Sequence, residues 1–319
     1  MICILNHQTR PAFNLAAEEY LLTQGLHNGF MLWRNRPAVV IGRNQNPCSQ
    51  VDIVTAQRKN IPVLRRISGG GAVYHDLGNV NFTFIRTIGN RPRVDFSAYL
   101  RPIRDFLATL GVPAVFEDPG DLSVGGRKIS GNAQHFRKGK VLHHGTLLFD
   151  ADVRLLHRLL DSDASVYHDR TVDSIRKSVT NIRPFLDQDM SAEDFMQDLM
   201  KAMQTTRRAR RVDFSAADLA AIEALAERKY RRWRWNFGRT PDYLLTRSAS
   251  IGRRLITVRM AVRAGVIREV RIFSERQAAR TAALEKALTG CRHRPREVIR
   301  ALSPLVAEIF LGALMEILF

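Results

Sequence analysis

RRISGGGAVYHDLGN, residues 65–79, sets three consecutive glycines directly after a strand-like run that ends near Leu64. Lacking side chains, Gly69, Gly70 and Gly71 let the backbone take φ > 0 and come close to a ligand, with amide N–H groups aimed at phosphate oxygens. Arg65 and Arg66 could add charge-assisted bonds to the same anion. Three glycines alone read equally well as a turn between strands; the arginine pair, Ser68, His75 and Asn79 tilt the reading toward a ligand. Spacing excludes two familiar nucleotide loops, because GxxxxGK[ST] does not occur and the run lacks the third glycine of GxGxxG. A nucleotide held here is held in another fold.

On the amino-terminal side, FNLAAEEYLL (13–22) predicts a helix with Asn14 as its N-cap. FMLWR (30–34) and AVVIG (38–42) are short runs of bulky and β-branched residues around Asn35 and Pro37, and they predict two strands joined by a turn. On the carboxyl side, NVNFTFIR (79–86) alternates apolar and polar residues as a third strand. A helix over 96–110, a strand near 112–117 and several strands between 122 and 150 complete the pattern. Short links favour antiparallel pairing over repeated βαβ crossovers, which gives an α+β class with mixed and antiparallel sheets and flanking helices. From Ser191 the spacing turns helical, with SAEDFMQDLMKAM and SAADLAAIEALAERKY each opening on a serine cap. Gly238 and Pro241 break that pattern, so the domain boundary falls there: residues 1–241 form the main unit, and 242–319 a small α/β appendage of a hairpin and two helices.

Two further segments carry chemistry. In DPGDLSVGGRKISGNAQHF (118–136), Lys128 follows a Gly-Gly turn and precedes Ser130 and Gly131, small neighbours that leave its ammonium group room to reach a ligand. Alone, the segment reads better as a hairpin whose cations face water. VLHHGTLLFD (141–150) is an apolar strand with His143 and His144 adjacent, so at most one imidazole faces a common pocket and a two-histidine metal site is disfavoured.

Composition narrows the classes. Hydrophobic residues at 45% and charged residues at 25% are those of a globular chain. No apolar window is long enough to span a membrane, and the tail from Leu305 to Phe319, interrupted by Glu308 and Glu316, predicts an amphipathic helix. MICILNHQTR has too short an apolar run for a secretory signal, and Cys3, Cys48 and Cys291 form neither a CxxC pair nor an even set, which suits a reducing cytoplasm. The formal charge of +18 builds toward the carboxyl end, densest in RRARR (207–211) and RKYRRWR (228–234). No nucleic-acid motif accompanies these runs, so an acidic protein partner is the better expectation.

Taken together, FNLAAEEYLL, WRNRPAVVIGRNQNP, RRISGGGAVYHDLGNVNFTF, GRKISGNAQ, HHGTLLFD, SVTNI and WRWNFGRTP resemble, in order, the blocks of the lipoate-protein ligase A family. The resemblance covers most of the chain as far as Pro241 and is loose beyond Asp242. It implies a main domain similar to biotin ligases and class II aminoacyl-tRNA synthetases, and an accessory domain at 242–319. The activity implied is the ATP-dependent formation of lipoyl-AMP followed by lipoyl transfer to a carrier lysine. By resemblance, Arg66, Ser68, Gly69, Gly70, Gly71, Ala72, Val73, Tyr74, Asn79, Asp121 and Lys128 would hold ATP or the adenylate. Trp33, Lys128, Ser130 and His144 would hold the lipoyl group. Lys128 would be the catalytic cation, with Mg²⁺ carried on substrate phosphates and no dedicated metal site. The partners implied are acidic lipoyl carrier domains, namely dehydrogenase E2 subunits and the glycine cleavage H protein, with neither nucleic acid nor membrane involved. Cys48 stands where the ligases commonly place tryptophan, which keeps open a relative that transfers octanoyl or lipoyl groups through a cysteine thioester without ATP.

Overall fold

Alternation along each strand decides which side of the central sheet a residue faces. In Asn28–Arg34, Phe30 and Leu32 point one way and Met31 and Trp33 the other, into two different apolar cores. The computed structural model describes residues 1–24, 26–89, 95–117, 120–169, 177–274 and 278–319, with backbone only for 278–280. Residues 118 and 119, which open the second glycine-bearing segment, lie outside the described residues.

The central sheet runs Asn132–Arg137, Lys140–Leu148, Asn79–Thr87, Asn28–Arg34, Ile2–Asn6 and Arg210–Arg211. Pairing is antiparallel through the first four strands and parallel at the last two junctions, which makes the sheet mixed. Helices Ser97–Thr109 and Ala192–Arg207 cover one face, and Pro11–Thr23 with Ala216–Leu225 the other. Two small sheets flank it. One pairs Ala38–Ile41 with Val63–Arg65 and Val73–His75, and so carries the glycine loop. The other pairs Val115–Glu117, Asp121–Val124 and Arg127–Ser130, and so carries Lys128. The runs 30–34 and 38–42 are therefore strands, as expected, but they belong to different sheets.

Two expectations need correction. Asn14 is not an N-cap: the helix begins at Pro11, whose fixed φ suits a first turn, and Asn14 is wholly buried inside it. After residue 242 the described residues form three strands rather than a hairpin, Tyr243–Ile251, Arg254–Arg263 and Val266–Ser274, with Tyr167–His168 added at the edge. Helices Ala278–Leu288, Pro295–Leu302 and Glu308–Leu318 follow. The last is the tail helix expected from its sequence, with Leu314, Met315, Ile317 and Leu318 buried in a core shared with Val39, Ile41 and Tyr74.

Arg65 fastens this region to the glycine loop. Fully buried, it donates to the carbonyls of Gly42, Arg43 and Gln45 on one side and of Trp235 and Asn236 on the other, at 2.6–3.1 Å. The indole of Trp235 returns a bond to Arg65 O at 2.7 Å. A guanidinium spent this way has no donor left for a ligand, so the expected anion contact from Arg65 is not made. Arg65→Leu would strand these buried carbonyls and is expected to lower stability by about 3 kcal/mol or more, read as a shift of the urea unfolding midpoint.

Candidate functional site

The glycine loop owes its path to a backbone collision avoided. A Cβ on Gly42 would lie 2.0 Å from Gly70 O, and Gly70 itself sits at φ +84°, so both positions require glycine. Gly69 is exposed at the tip, with open space around its Cα. Arg66, buried below, donates to the carbonyls of Val40, Gly69 and Gly71 at 2.6–3.0 Å and to Ser68 Oγ at 3.0 Å, holding the loop in shape.

Opposite the loop stands Lys128. Its ammonium lies 3.0 Å from Asp121 Oδ1, while Lys177 Nζ lies 2.7 Å from Asp121 Oδ2, so one carboxylate sits between two cations. A Cβ at Gly131 would meet Lys128 Cε and Nζ at 2.8 Å: the absent side chain makes room for the ammonium group. Two cavities meet here, one of about 250 Å³ reaching inward to Leu15, Glu18, Trp33 and His144, the other of about 410 Å³ walled by Tyr74, Leu148, Leu156 and Val179. Ala72, Val73, Lys128, Gly131, Thr146 and Lys177 line both.

The inner cavity ends in a chain of hydrogen bonds. Trp33 Nε1 donates to Thr83 Oγ1 at 2.9 Å, Thr83 donates to Glu18 Oε1 at 2.7 Å, and His144 Nδ1 lies 2.8 Å from the same oxygen. On the far side of the ring, His144 Nε2 lies 2.7 Å from Ser68 Oγ. Every group in this chain has a partner, so a carboxylate that is 99% buried is stabilised without an exposed charge. His143 faces the other way, stacked on Tyr99 at 4.6 Å among Phe82 and Phe96, as alternation along the strand requires.

Of the residues expected at the site, Trp33, Arg66, Gly70, Gly71, Ala72, Val73, Asp121, Lys128 and His144 line the inner cavity, Tyr74 lines the outer one, and Ser68 bonds to His144. Asn79 and Ser130 line neither. They are buried one layer back, where Asn79 Nδ2 donates to Asn81 Oδ1 and Ser130 Oγ accepts from Asn132 Nδ2. Sequence reasoning missed Glu18, Asn81, Asn132, Thr146 and Lys177, and it named His75 beside the glycine run without giving it a contact. For Glu18 a signal existed: Asn14 and Glu18, four apart, place polar groups on a helix face otherwise made of Leu15, Leu22 and alanines. Among the described residues no cysteine lines either cavity. Cys48 is buried against His293, 3.6 Å from its Nδ1, with its thiol pushed up to about 12 by desolvation.

A glycine loop thus faces a lysine across two joined cavities, on a mixed sheet with helices on both faces, the framework of a lipoyl ligase type of catalytic domain. The family model for the lipoyl protein ligase A/B catalytic domain matches residues 10–204. The chain is 35% identical over 301 residues to lipoate–protein ligase 1 of Staphylococcus aureus, covering 93% of this chain and 92% of that protein. It is 34% identical over 270 residues to a lipoate-protein ligase of Bacillus subtilis, covering 83% and 82%. It also superposes with a TM-score of 0.61 and 26% identity on a structure from Thermoplasma acidophilum, described as a bipartite lipoate protein ligase and its E2 lipoyl domain, over 74% of this chain and 95% of that one. The chain belongs to the lipoate-protein ligase family.

Three buried histidines tie stability to pH. Burial pushes His143 down to about 3, His75 to about 3 and His293 to about 4, so the fold holds each ring neutral. Unfolding restores the ordinary affinity for a proton, with a pKa of about 6.5. Their contribution is therefore complete above that pH and is lost as pH falls toward 4 and 3. The urea midpoint is expected to drop steadily between pH 7 and 4, and His143→Phe, which keeps the ring stack, should flatten that slope when the titration is repeated.

Proposed function

We propose that this chain is an ATP-dependent lipoate-protein ligase that makes lipoyl-AMP and pyrophosphate, then transfers the lipoyl group to the ε-amine of a lysine on a lipoyl carrier domain. A free carboxylate and an amine do not condense unaided, and a ligase of this family solves the problem by adenylation. The observation that carries the reading is Lys128, which belongs to the walls of both cavities and so is placed to touch an acyl group and a phosphate at once. The inner cavity takes the lipoyl chain, with Trp33 as its wall, His144 at its inner end, and Ser130 behind the wall residue Asn132. The outer cavity takes the nucleotide, with Ala72, Val73 and Tyr74 on its wall, and Gly70 and Gly71 on the inner wall and Gly69 at the loop tip would reach its phosphates where the two cavities meet. Arg66 and Ser68 hold the glycine loop, and Asp121 and Asn79 complete the adenylate site.

In the first step a lipoate carboxylate oxygen attacks the α-phosphorus, the new O–P bond forms and the bond to pyrophosphate breaks. Negative charge builds between two anions, which is where loop amides and the Lys128 cation stabilise it best. In the second, the carrier amine attacks the acyl carbon, the bond to the phosphate oxygen breaks, AMP leaves and the amine's proton goes to solvent. Lys128 forms no covalent bond in either step. Mg²⁺, carried on the ATP phosphates, would neutralise the departing pyrophosphate.

The carriers we propose are acidic domains, of dehydrogenase E2 subunits and the glycine cleavage H protein. Exposed Arg228, Arg232, Arg234, Arg239 and Arg292 gather around Trp233 and Trp235 in one groove, and the chain's charge of +18 would steer such a partner. Residues 1–241 would act as the catalytic unit and 242–319 as an accessory one. Among the described residues no helix is long and apolar enough to cross a membrane, and we assign the protein to the cytoplasm. A cysteine-thioester transferase is disfavoured because Cys48 is shut away from both cavities.

Lys128→Ala is expected to abolish adenylate formation, measured as lipoate-dependent pyrophosphate release, while melting like the native protein; wild-type turnover would refute the assignment. Gly131→Ala should act on the same step more gently, slowing it about tenfold or more, because the flexible end of Lys128 moves aside rather than the backbone. Transfer from preformed adenylate to an acidic carrier should slow steeply between low salt and 0.3 M in stopped-flow assays, and a flat profile would remove steering from the account.

A further inference from the structure

Behind the inner cavity lies a row of buried asparagines that the reaction as described does not use. Asn14 Nδ2 is 2.8 Å from Gln8 O, 2.9 Å from Arg34 O and 2.8 Å from Asn35 Oδ1, and Asn14 Oδ1 accepts from Asn6 Nδ2 at 2.9 Å. Two of the neighbours of that nitrogen are backbone carbonyls, which only accept, so the amide cannot be flipped. Its third neighbour shares one of the two hydrogens and is an oxygen, because an amide nitrogen cannot accept from a second amide nitrogen, which fixes Asn35 in turn: Oδ1 faces Asn14, and Nδ2 faces His75 Nδ1 at 3.0 Å. An amide nitrogen only donates. His75 Nδ1 therefore accepts, and the proton of the neutral ring sits on Nε2.

That Nε2–H is an orphan. The residue is 3% exposed and lines the inner cavity, and among the described residues Nε2 has no hydrogen-bond partner. A buried donor left unmade costs about 1–3 kcal/mol; His143 Nε2 is left so too but lines neither cavity, whereas His75 lines a cavity from which a ligand could supply the acceptor. His75 lines the inner cavity, which the proposed function gives to the acyl chain, and is absent from the walls of the outer one, so the acceptor considered is an oxygen of the acyl group. At the inner end of the cavity, by contrast, Thr83, Glu18, His144 and Ser68 already satisfy one another.

We propose that the chain Asn6, Asn14, Asn35 presents His75 Nε2–H as a fixed donor to an oxygen of the acyl group, first the attacking carboxylate and then the carbonyl of the adenylate; the proposal rests on the ligase reading above. Burial, with Arg66 and His144 close by, pushes the ring down to about 3, so His75 donates a hydrogen bond and moves no proton. It complements Lys128: the ammonium supplies charge where carbonyl and phosphate meet, and the imidazole supplies direction at the carbonyl oxygen as charge develops during aminolysis. Asn35 is a positioning residue, setting the tautomer without touching substrate.

The test combines spectroscopy and kinetics. Long-range ¹H–¹⁵N spectra of histidine-labelled protein at neutral pH should show His75 protonated at Nε2 and bare at Nδ1, and a lipoyl sulfamoyl-adenosine analogue of the adenylate should shift the Nε2–H proton downfield. His75→Leu should lower kcat for adenylate formation about 100-fold with the KM for ATP unchanged, and His75→Gln, which keeps an N–H donor, should recover part of it. Asn35→Leu should lower kcat as well and bring the Nδ1–H tautomer into the spectrum. An Nε2–H that the analogue leaves unmoved, one bonded to the same buried water with and without it, or full adenylation by a folded His75→Leu protein would overturn the proposal. Absence of any adenylate with the wild-type enzyme would instead sink the ligase reading itself.

Discussion

The side chain missing at Gly131 lets an ammonium group stand between two cavities, and the rest of the site is arranged around that vacancy. Lys128 sits on a short strand whose own small sheet is separate from the one that carries the glycine loop. Neither sheet could present both partners. They face one another because each is anchored independently to the central sheet, the lysine strand through Gly131 and Thr146 and the loop through Ser68 and His144. Asp121 then holds Lys128 and Lys177 together, two cations that would otherwise repel each other in a partly desolvated setting.

Two chains of buried polar groups run beside the inner cavity. The Trp33, Thr83, Glu18, His144 and Ser68 series closes completely, whereas the asparagine row stops one bond short, at the imidazole of His75. Low dielectric makes both chains rigid, since breaking any link leaves a buried atom unpaired. Rigidity of this kind suits a site that must hold an oxygen and a phosphate within bonding distance without reorganising between two chemical steps.

Much of the architecture could be read from residue order. Alternation exposed the strands around Asn79, serine caps announced the helices at 192 and 216, and the glycine run and Lys128 marked the two halves of the site before any coordinates. What could not be read was set by distance in space. Asn14 looked like a cap because polar residues near helix starts usually are; its real partners, Gln8, Arg34 and Asn35, reach it only once the first strands are stacked. Arg65 looked like an anion ligand for the same reason, since nothing local announces that Trp235 and Asn236 will surround it. The extra strands of the carboxyl-terminal sheet were underestimated because one edge, Tyr167–His168, is borrowed from residues far upstream.

The two glycines that frame the loop tip have opposite futures under random mutagenesis. At Gly42 any side chain, whatever its chemistry, strikes the carbonyl of Gly70, whereas Gly69 opens onto empty space with an ordinary backbone. A library selected for activity would accordingly return one codon family at 42 and a broad spread at 69, so that position 69, though it sits inside the chain's most recognisable motif, is where a fluorescent or crosslinking handle can be installed without striking the loop.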